Sequence, residues 1–323
     1  MAKSLISLQM RVVRKTAETP DICAFELQSL DGSALPDFQA GAHVDVQVPG
    51  GPVRQYSLCN PPGETHRYEI AVLRETSSRG GSTGMHAVLE GQTLHIGAPK
   101  NHFPLVDGAR HHVLFAGGIG ITPILAMAHA LIAQAASFEL HYCTRSSAVT
   151  AFRTRIAESD FAGRAVFHHD DGPAVAKFDV QTLLRSHEMQ GSHLYVCGPG
   201  GFMEWVLAAG RHAGWSEDQM HREYFAGAQS SAGADGAFEV QIASTGELIS
   251  VRADQSVTSA LAESGIDLDT SCEQGVCGTC VLRVLDGVPD HRDMYLTASE
   301  REQNNLFTPC CSRARSARLV LDL

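Results

Sequence analysis

Short apolar runs separated by turn signals dominate residues 1–107 of the chain. The runs are rich in Val, Ile, Tyr and Leu, and turn-forming pairs such as Asp31-Gly32 separate them. Short strands at this spacing are typical of a small antiparallel barrel. The pattern therefore predicts an antiparallel β-barrel in this part of the chain. Its expected strands span residues 22–27, 43–48, 55–58, 68–73 and 93–96.

Residues 108–226 follow a different pattern, in which apolar strand-like runs alternate with helical segments. A glycine-rich turn follows the first run, and the helix-like segment 123–136 comes next. Alternating strand and helix units are typical of a doubly wound α/β fold with a parallel sheet. The expected strands span residues 112–116, 138–143, 165–168 and 193–197, and a second helix spans 202–212.

A run of small polar residues at 228–236, AQSSAGADG, separates this region from the rest of the chain. Such a composition cannot bury a core and predicts a flexible linker. Beyond it, strand-like runs, a helical segment at 257–262 and a cysteine-rich loop predict a small α+β domain. The expected organisation is a barrel domain at 1–107, an α/β domain at 108–227, the linker, and the α+β domain at 237–323.

Composition narrows the class of protein. The hydrophobic fraction of 44% and the charged fraction of 19% are those of a globular chain, and no apolar run reaches the roughly 18 residues of a membrane helix. These features argue against a membrane protein, a fibre and a disordered chain. The N-terminal segment MAKSLISLQMRVVRK lacks a signal-peptide core and cleavage site, which predicts a cytoplasmic location.

The net charge of −11 is unevenly distributed along the chain. Residues 237–323 contain 7 Lys and Arg against 13 Asp and Glu, whereas no part of the chain forms a basic stripe. Nucleic acid is therefore not an expected partner. The acidic C-terminal domain suits docking to a positively charged protein surface.

Five of the nine cysteines lie within residues 272–311. A secreted disulfide framework would use an even number spread along the chain, so this cluster indicates thiolates that hold a metal in a reducing compartment. The 16 histidines include no Cys-x-His…Cys-x-x-His pattern, which argues against a Rieske cluster within this chain. The pairs at 111–112 and 168–169 are interpreted as surface or polar packing.

The strongest motif is the spacing of Cys272, Cys277 and Cys280, with further cysteines at 310–311. It is the plant-type spacing for a [2Fe–2S] cluster, which requires four thiolates on two irons. A zinc site is the alternative, although zinc motifs usually contain two Cys-x2-Cys pairs. Gly275 and Gly278 leave room for backbone N–H groups to approach the sulfurs.

Residues 54–57, RQYS, resemble the flavin-binding signature of the ferredoxin reductase superfamily. Arginine offers a forked cation to a phosphate, tyrosine a ring face, and serine a hydrogen bond to the flavin edge. In residues 79–86, RGGSTGMH, paired glycines open a helix whose free N–H groups would hold a phosphate. FMN is expected because no adenosine pocket is evident beyond that phosphate. An edge strand and a tight turn are the alternatives for the two motifs. The expected flavin-binding residues are Arg54, Gln55, Tyr56, Ser57, Arg79, Gly80, Gly81 and Ser82.

Residues 117–123, GGIGITP, follow a strand but do not match the dinucleotide fingerprint G-x-G-x-x-G. They resemble the G-G-x-G-[IV]-[TS]-P loop of the nicotinamide domain in the same superfamily, and the CGP of residues 197–199 resembles the turn beside its reacting nicotinamide. In both cases an ordinary glycine-containing loop is the alternative. The resemblance implies that the glycines approach a pyrophosphate and that Thr122 faces the flavin. The expected residues are Gly117, Gly118, Gly120, Thr122, Cys197, Gly198 and Pro199.

Two further positions bear on the nucleotide. Arg145 follows the second strand of the α/β region, where the adenosine ribose is expected, and Asp170 and Asp171 follow the third strand. Because these carboxylates would repel an additional phosphate, NADH is expected rather than NADPH. NADPH is the alternative, since Arg145 could bind its 2′-phosphate. The resemblance also implies that Phe225 covers the flavin face, although it could instead be a core residue.

Residues 310–313, CCSR, resemble the Cys-x-Ser-Arg motif that ends chains of the family typified by phthalate dioxygenase reductase. This match implies Cys310 as the fourth cluster ligand and Cys311 as the variable position, a small buried side chain. The resemblance covers essentially the whole chain in the family's order of domains: an FMN barrel, an NAD domain and a plant-type ferredoxin of the β-grasp type.

The family resemblance implies an NADH-dependent reductase that passes electrons through FMN and a [2Fe–2S] cluster to a separate Rieske-type terminal oxygenase. Ring dihydroxylases and O-demethylases are the expected destinations. A haem-thiolate monooxygenase or another acceptor is one alternative, and a redox-sensing ferredoxin domain is another. The residues expected at the reacting centre are Ser57, Thr122, Cys197 and Phe225.

Overall fold

The computed structural model describes residues 6–78, 80–171, 178–187, 190–225, 236–270 and 272–323. The chain forms two compact units, which divide between Glu223 and Tyr224. The predicted boundary at residues 107–108 falls between two sheets of the first unit. The division into three domains stays a prediction, and nearly all of the predicted linker lies outside the described residues.

An antiparallel sheet builds the first part of the first unit. Its strands are β1 (Ile6–Ala17), β2 (Ile22–Ser29), β3 (Ala42–Gln47), β4 (Val53–Ser57), β5 (Tyr68–Leu73), β6 (Thr93–Gly97) and β7 (Lys100–Asn101). They lie in the order β4-β3-β6-β1-β2-β5, with β7 paired to β3. The two ends of the sheet meet where Leu58 forms an antiparallel bridge with Ile70 of β5. The predicted barrel is therefore confirmed, and helix α1 (Gly81–Ala87) lies between β5 and β6 in the chain.

A parallel sheet builds the second part. Its strands are β8 (His111–Gly117), β9 (Phe138–Thr144), β10 (Ala165–His169), β11 (Ser192–Cys197) and β12 (Met220–Glu223). Its helices are α2 (Ile121–Ala133), α3 (Arg153–Ala157), α4 (Val180–Ser186) and α5 (Gly200–Ala213). The strand order is β10-β9-β8-β11-β12, and every pairing is parallel. This order confirms the doubly wound fold and puts its switch point between β8 and β11.

One apolar core joins the two sheets of the first unit. Ile22 of β2 and Phe103 after β7 belong to the same buried cluster as Ile121 and Leu125 of α2. Burying this surface favours one compact body over two tethered domains. Because the core is continuous, it can hold barrel residues at fixed positions relative to the residues that follow the parallel strands.

The second unit is a small mixed fold. Its strands are β13 (Phe238–Ile242), β14 (Leu248–Val251), β15 (Leu282–Asp286), β16 (Pro289–Asp290), β17 (Leu306–Phe307), β18 (Arg313–Ala314) and β19 (Arg318–Leu321), and its helices are α6 (Val257–Glu263) and α7 (Ala298–Gln303). The main sheet has the order β14-β13-β19-β15-β17, in which only β13 and β19 are parallel. Val257 and Leu261 of α6 pack into its core. This arrangement confirms the predicted α+β domain around the cysteine loop. Among the described helices, none is long and apolar enough to span a lipid bilayer.

Candidate functional site

Arg54 and the start of α1 lie against each other. A side chain at Gly81 would come within 3.1 Å of the Arg54 Nε atom, so the guanidinium stem covers the first turn of the helix. Gly80 precedes that turn with φ of 91°, a left-handed conformation that glycine adopts without strain. The Ser82 hydroxyl accepts a hydrogen bond from the Glu75 N–H at 3.0 Å. A cation beside a helix start suits a phosphate. Arg79 lies outside the described residues.

The other residues of the RQYS strand have distinct environments. Burial raises the pKa of Tyr56 to about 12, although Arg54 opposes the effect, so its hydroxyl is neutral. The Gln55 amide nitrogen lies 3.0 Å from Asp45 Oδ1 and 3.0 Å from His43 Nε2, so this side chain braces β4 against β3. The structure thus brings Arg54 to the start of α1, while the Gln55 amide is engaged within the barrel.

Ser57 meets a carboxyl group from the far end of the first unit. Its Oγ donates a hydrogen bond to Glu223 Oε2 at 3.2 Å, and His43 Nδ1 lies 3.9 Å from the other carboxyl oxygen. Burial raises the pKa of Glu223 to about 8, only partly offset by the hydrogen bond from Ser57. The carboxyl group is therefore largely protonated at neutral pH. No sequence motif predicts a role for Glu223, whose only signal in the sequence is its place beside Tyr224 and Phe225.

The loops after β8 and β11 touch at the switch point. A side chain at Gly120 would overlap the carbonyl of Cys197, and one at Gly198 would come within 2.9 Å of Gly117 Cα. Glycine is therefore required where the two backbones approach. Thr122 is buried and its hydroxyl donates to the Ile119 carbonyl at 3.1 Å. The structure brings the two predicted nicotinamide motifs together at the edge where doubly wound folds bind ligands.

The Cys197 thiol is fully buried beside this edge. Burial raises its pKa well above the usual value, and the nearby Glu223 adds to the shift. The thiol is therefore neutral. Pro199 directly precedes α5 and forms its N-cap position. Gly118 has φ of 53°, and no atom lies within 4 Å of the place where a side chain would begin.

Arg145 and Asp171 lie together after β9 and β10. The Asp171 N–H donates to the Arg145 carbonyl at 3.1 Å, and both side chains are exposed. They are placed at the carboxyl end of the parallel sheet, as the sequence analysis expected for the adenosine region. Phe225 follows β12 by two residues, and its side chain is 42% exposed. That exposure does not fit a core phenylalanine.

The cysteines of the second unit form one group. Thiol contacts link Cys272 to Cys277 and Cys310, and Cys310 to Cys280. Contacts from Cys277 and Cys310 hold the pKa of Cys272 far below its usual range. Four sulfurs gathered at one point, with a thiolate favoured among them, fit a [2Fe–2S] cluster.

The loop backbone supports the same interpretation. The N–H groups of Gln274 and Val276 donate to the Cys272 sulfur, each at 3.4 Å. Gly275 and Gly278 both have φ of 73°, and a side chain at Gly278 would overlap the Tyr295 ring. Left-handed glycines let the loop turn its amides towards the sulfurs, which stabilises added negative charge.

Cys311 has a different environment from Cys310. Its sulfur lies 3.6 Å from Thr308 Oγ1 and 3.8 Å from Ser312 Oγ, and a side chain at Gly275 would overlap it. The Cys311 thiol also contacts that of Cys310, and the side chain is partly buried.

Comparisons with known proteins agree with this geometry. Residues 240–315 match the family "2Fe-2S iron-sulfur cluster binding domain", and residues 99–220 match "Dimethylamine monooxygenase subunit DmmA-like, N-terminal domain". Vanillate O-demethylase oxidoreductase from Pseudomonas sp. (strain HR199 / DSM 7063) is 51% identical over 99% of this chain and 100% of its own length.

Two solved structures cover 98% of this chain. Phthalate dioxygenase reductase is 37% identical with a TM-score of 0.77, and the match covers 98% of that protein. An intact type IV self-sufficient cytochrome P450 monooxygenase is 36% identical with a TM-score of 0.81, and the match covers 41% of that chain.

The fold, the thiol cluster and these relatives agree on one activity. The protein is an NADH-dependent reductase component of an oxygenase system, and its cofactors are FMN and a [2Fe–2S] cluster. The chain belongs to the family of oxygenase reductases that includes vanillate O-demethylase oxidoreductase and phthalate dioxygenase reductase.

Proposed function

We propose that this reductase supplies electrons to a Rieske-type oxygenase that removes the methyl group of a methoxylated aromatic acid such as vanillate. One observation carries the proposal: identity is 51% with vanillate O-demethylase oxidoreductase but 37% with phthalate dioxygenase reductase. Because the reductase must recognise its oxygenase, this higher similarity favours an O-demethylase partner. None of the nine cysteines, all of which the structure describes, forms a disulfide bond, which supports a reducing cytoplasmic location.

Residues of the first unit would hold the two nucleotide cofactors. Arg54 and the first turn of α1 would bind the FMN phosphate, and the Tyr56 ring would lie against the flavin. The Ser57 hydroxyl is held in place by Glu223, whose carboxyl group keeps a proton at neutral pH. When bound, FMN would link the two-electron chemistry of a hydride donor to the one-electron chemistry of an iron–sulfur centre.

Residues at the switch point would position NADH. Gly120 lets the loop after β8 approach the carbonyl of Cys197, which leaves a narrow backbone surface for the nicotinamide and pyrophosphate. Arg145 and Asp171 would meet the adenosine ribose. The Asp171 carboxylate would disfavour the additional phosphate of NADPH.

Residues of the second unit would carry electrons out. Cys272, Cys277, Cys280 and Cys310 would hold the two irons, and the N–H groups of Gln274 and Val276 would stabilise the reduced charge. Residues 237–323 contain 7 basic against 13 acidic side chains, so a partner with a basic docking surface is expected.

A haem-thiolate monooxygenase is the second candidate partner. The observation in its favour is the TM-score of 0.81 with the self-sufficient P450 monooxygenase, in which the matching part is 41% of the chain. The same reductase architecture thus occurs in a single chain with a P450.

Reconstitution tests the proposal. The intact reductase would be mixed with NADH and purified vanillate O-demethylase oxygenase, phthalate dioxygenase oxygenase, or a P450 that lacks its own reductase. O-demethylation consumes one NADH, one proton and one O2 and yields the phenol, formaldehyde, NAD+ and water. The measurement is product formed per NADH with each oxygenase's own substrate, which is formaldehyde for the O-demethylase and the hydroxylated product for the other two. We expect coupled turnover with the O-demethylase oxygenase and much slower turnover with the other two. Faster turnover with the P450 would overturn the Rieske assignment.

A matched pair of cysteine variants controls for the electron route. Cys277→Ser should retain NADH-driven ferricyanide reduction but lose transfer to the oxygenase. Cys23→Ser, on β2 of the barrel, should retain both activities.

A further inference from the structure

Three metal-ligating side chains converge in the first unit, away from the nucleotide loops. His111 is the first residue of β8, Glu139 is the second residue of β9, and His187 directly follows α4. The nucleotide loop leaves β8 at its other end, after Gly117. The seven-residue strand puts His111 about 20 Å from Gly117. We propose that His111, Glu139 and His187 form a binding site for a divalent transition metal ion, with Zn²⁺ as the best-matched ion.

The geometry of the three donors supports this site. One ligand atom from each residue lies within 4.8 Å of the other two. His187 Nε2 lies 2.7 Å from Glu139 Oε1, an ion-pair distance, and both atoms are buried. His111 Nε2 is also buried, and it has no hydrogen-bond partner among the described residues. A buried polar atom without a partner is costly, and a cation shared with Glu139 and His187 would satisfy His111 Nε2.

The surrounding contacts prepare the donors for a metal. His111 Nδ1 lies 2.8 Å from Ser137 Oγ, so a proton on Nδ1 leaves the Nε2 lone pair facing the cluster. His141 Nε2 lies 3.2 Å from Glu139 Oε1 and orients the carboxylate.

The donor set indicates the type of ion. Two imidazoles and one carboxylate, with a fourth position left for water, form a common Zn²⁺ arrangement. Ligand atoms about 2.0–2.2 Å from one Zn²⁺ ion lie roughly 3–4 Å apart, which small side-chain rotations would reach. A cleft of about 230 Å³, lined by Arg110, His111, His187, Gln190 and Ser192, provides an entry path. The positive charge of Arg110 in this cleft favours moderate rather than very high affinity.

Metal binding would join β8, β9 and the end of α4. An ion that binds only the folded state raises the temperature of unfolding as the free ion concentration exceeds its dissociation constant. Because the site lies at the opposite end of β8 from Gly117, we expect stabilisation of the parallel-sheet region without a direct effect on the cofactors.

The experiment uses the intact holoprotein without a histidine tag, treated with chelator and then titrated with ZnCl₂. We expect one additional Zn²⁺ per chain, an unchanged [2Fe–2S] absorbance and a higher unfolding temperature. X-ray absorption at the zinc edge should show only nitrogen and oxygen ligands at about 2.0–2.1 Å. A sulfur shell at about 2.3 Å would place the ion on cysteines and overturn the proposal, as would the absence of stoichiometric binding.

Variants locate the ion independently. Glu139→Gln, which keeps the size of the side chain, should weaken Zn²⁺ binding at least about tenfold. His212→Ala, an exposed histidine on α5 whose ring bonds only its own helix, should bind Zn²⁺ like the parent protein. Unfolding temperatures measured in the presence of chelator, together with the flavin absorbance, check that each variant is folded. If Glu139→Gln does not fold, His187→Asn replaces it. Unchanged Zn²⁺ affinity in a folded variant would overturn the assignment.

Discussion

Ser57, on the fourth barrel strand, donates a hydrogen bond of 3.2 Å to Glu223, which ends the last strand of the parallel sheet. This contact joins residues that are 166 positions apart in the chain. It links the proposed flavin-binding motif to the edge where the nicotinamide is expected. The Glu223 side chain is only 13% exposed there, and burial raises the pKa of its carboxyl group to about 8.

Glu223→Gln should change how stability depends on pH. The folded-state pKa of about 8 lies above the ordinary value of 4.5, so the folded protein retains this proton while the unfolded chain loses it. Below pH 4.5 the carboxyl group is protonated in both the folded and the unfolded state, so it adds no pH dependence to the free energy of unfolding. Between pH 4.5 and 8 the unfolded state is increasingly favoured, because only there can the group ionise freely. A tenfold change in an ionisation constant corresponds to about 1.4 kcal/mol, so the difference at pH 9 should reach several kcal/mol. Unfolding temperatures from pH 5 to 9 should fall more steeply for the parent protein, and parallel curves would contradict the assignment.

Gly120→Ala should impair NADH oxidation. The new methyl group would overlap the Cys197 carbonyl and push apart the loops after β8 and β11, at a cost of about 1–3 kcal/mol. We expect slower flavin reduction by NADH with FMN still bound, because the barrel motifs are untouched. Gly163→Ala is the control, since no atom lies within 4 Å of the added group there. Stopped-flow absorbance of the flavin measures both variants, and equal rates would contradict close approach at this point.

Cys310→Ser should abolish the iron–sulfur cluster, whereas Cys311→Ser should leave it largely intact. The Cys310 thiol contacts Cys272 and Cys280 as well as Cys311, whereas the Cys311 thiol packs against Thr308 and Ser312 besides Cys310. Iron content per chain and visible absorbance measure the outcome. The reverse pattern would show that the Cys-x-Ser-Arg match is displaced by one residue.

Phe225→Ala should alter flavin reduction more than stability. Its side chain is 42% exposed, so removing the ring should cost less than about 1 kcal/mol. If the ring covers the flavin face, the rate of reduction by NADH should change severalfold. A large fall in unfolding temperature with an unchanged reduction rate would instead identify a packing residue.

Local patterns in the sequence account for much of the fold. The predicted segment 68–73 coincides with β5, and the predicted segments 138–143 and 193–197 lie within β9 and β11, because alternating or continuous apolar runs leave few other ways to bury their side chains. Three of the proposed cluster ligands lie within nine residues, 272–280, so their spacing alone indicated a [2Fe–2S] cluster.

Contacts between distant segments were decided only by the tertiary structure. β12 is Met220–Glu223, a short and mostly polar segment that becomes a strand because it pairs with β11, and this pairing buries Glu223 beside Ser57. The approach of His111, Glu139 and His187 likewise depends on the order of β8 and β9 and on where α4 ends. Strand pairing and burial between distant residues are set by packing rather than by local preference, and therefore leave no mark in the pattern of any one segment.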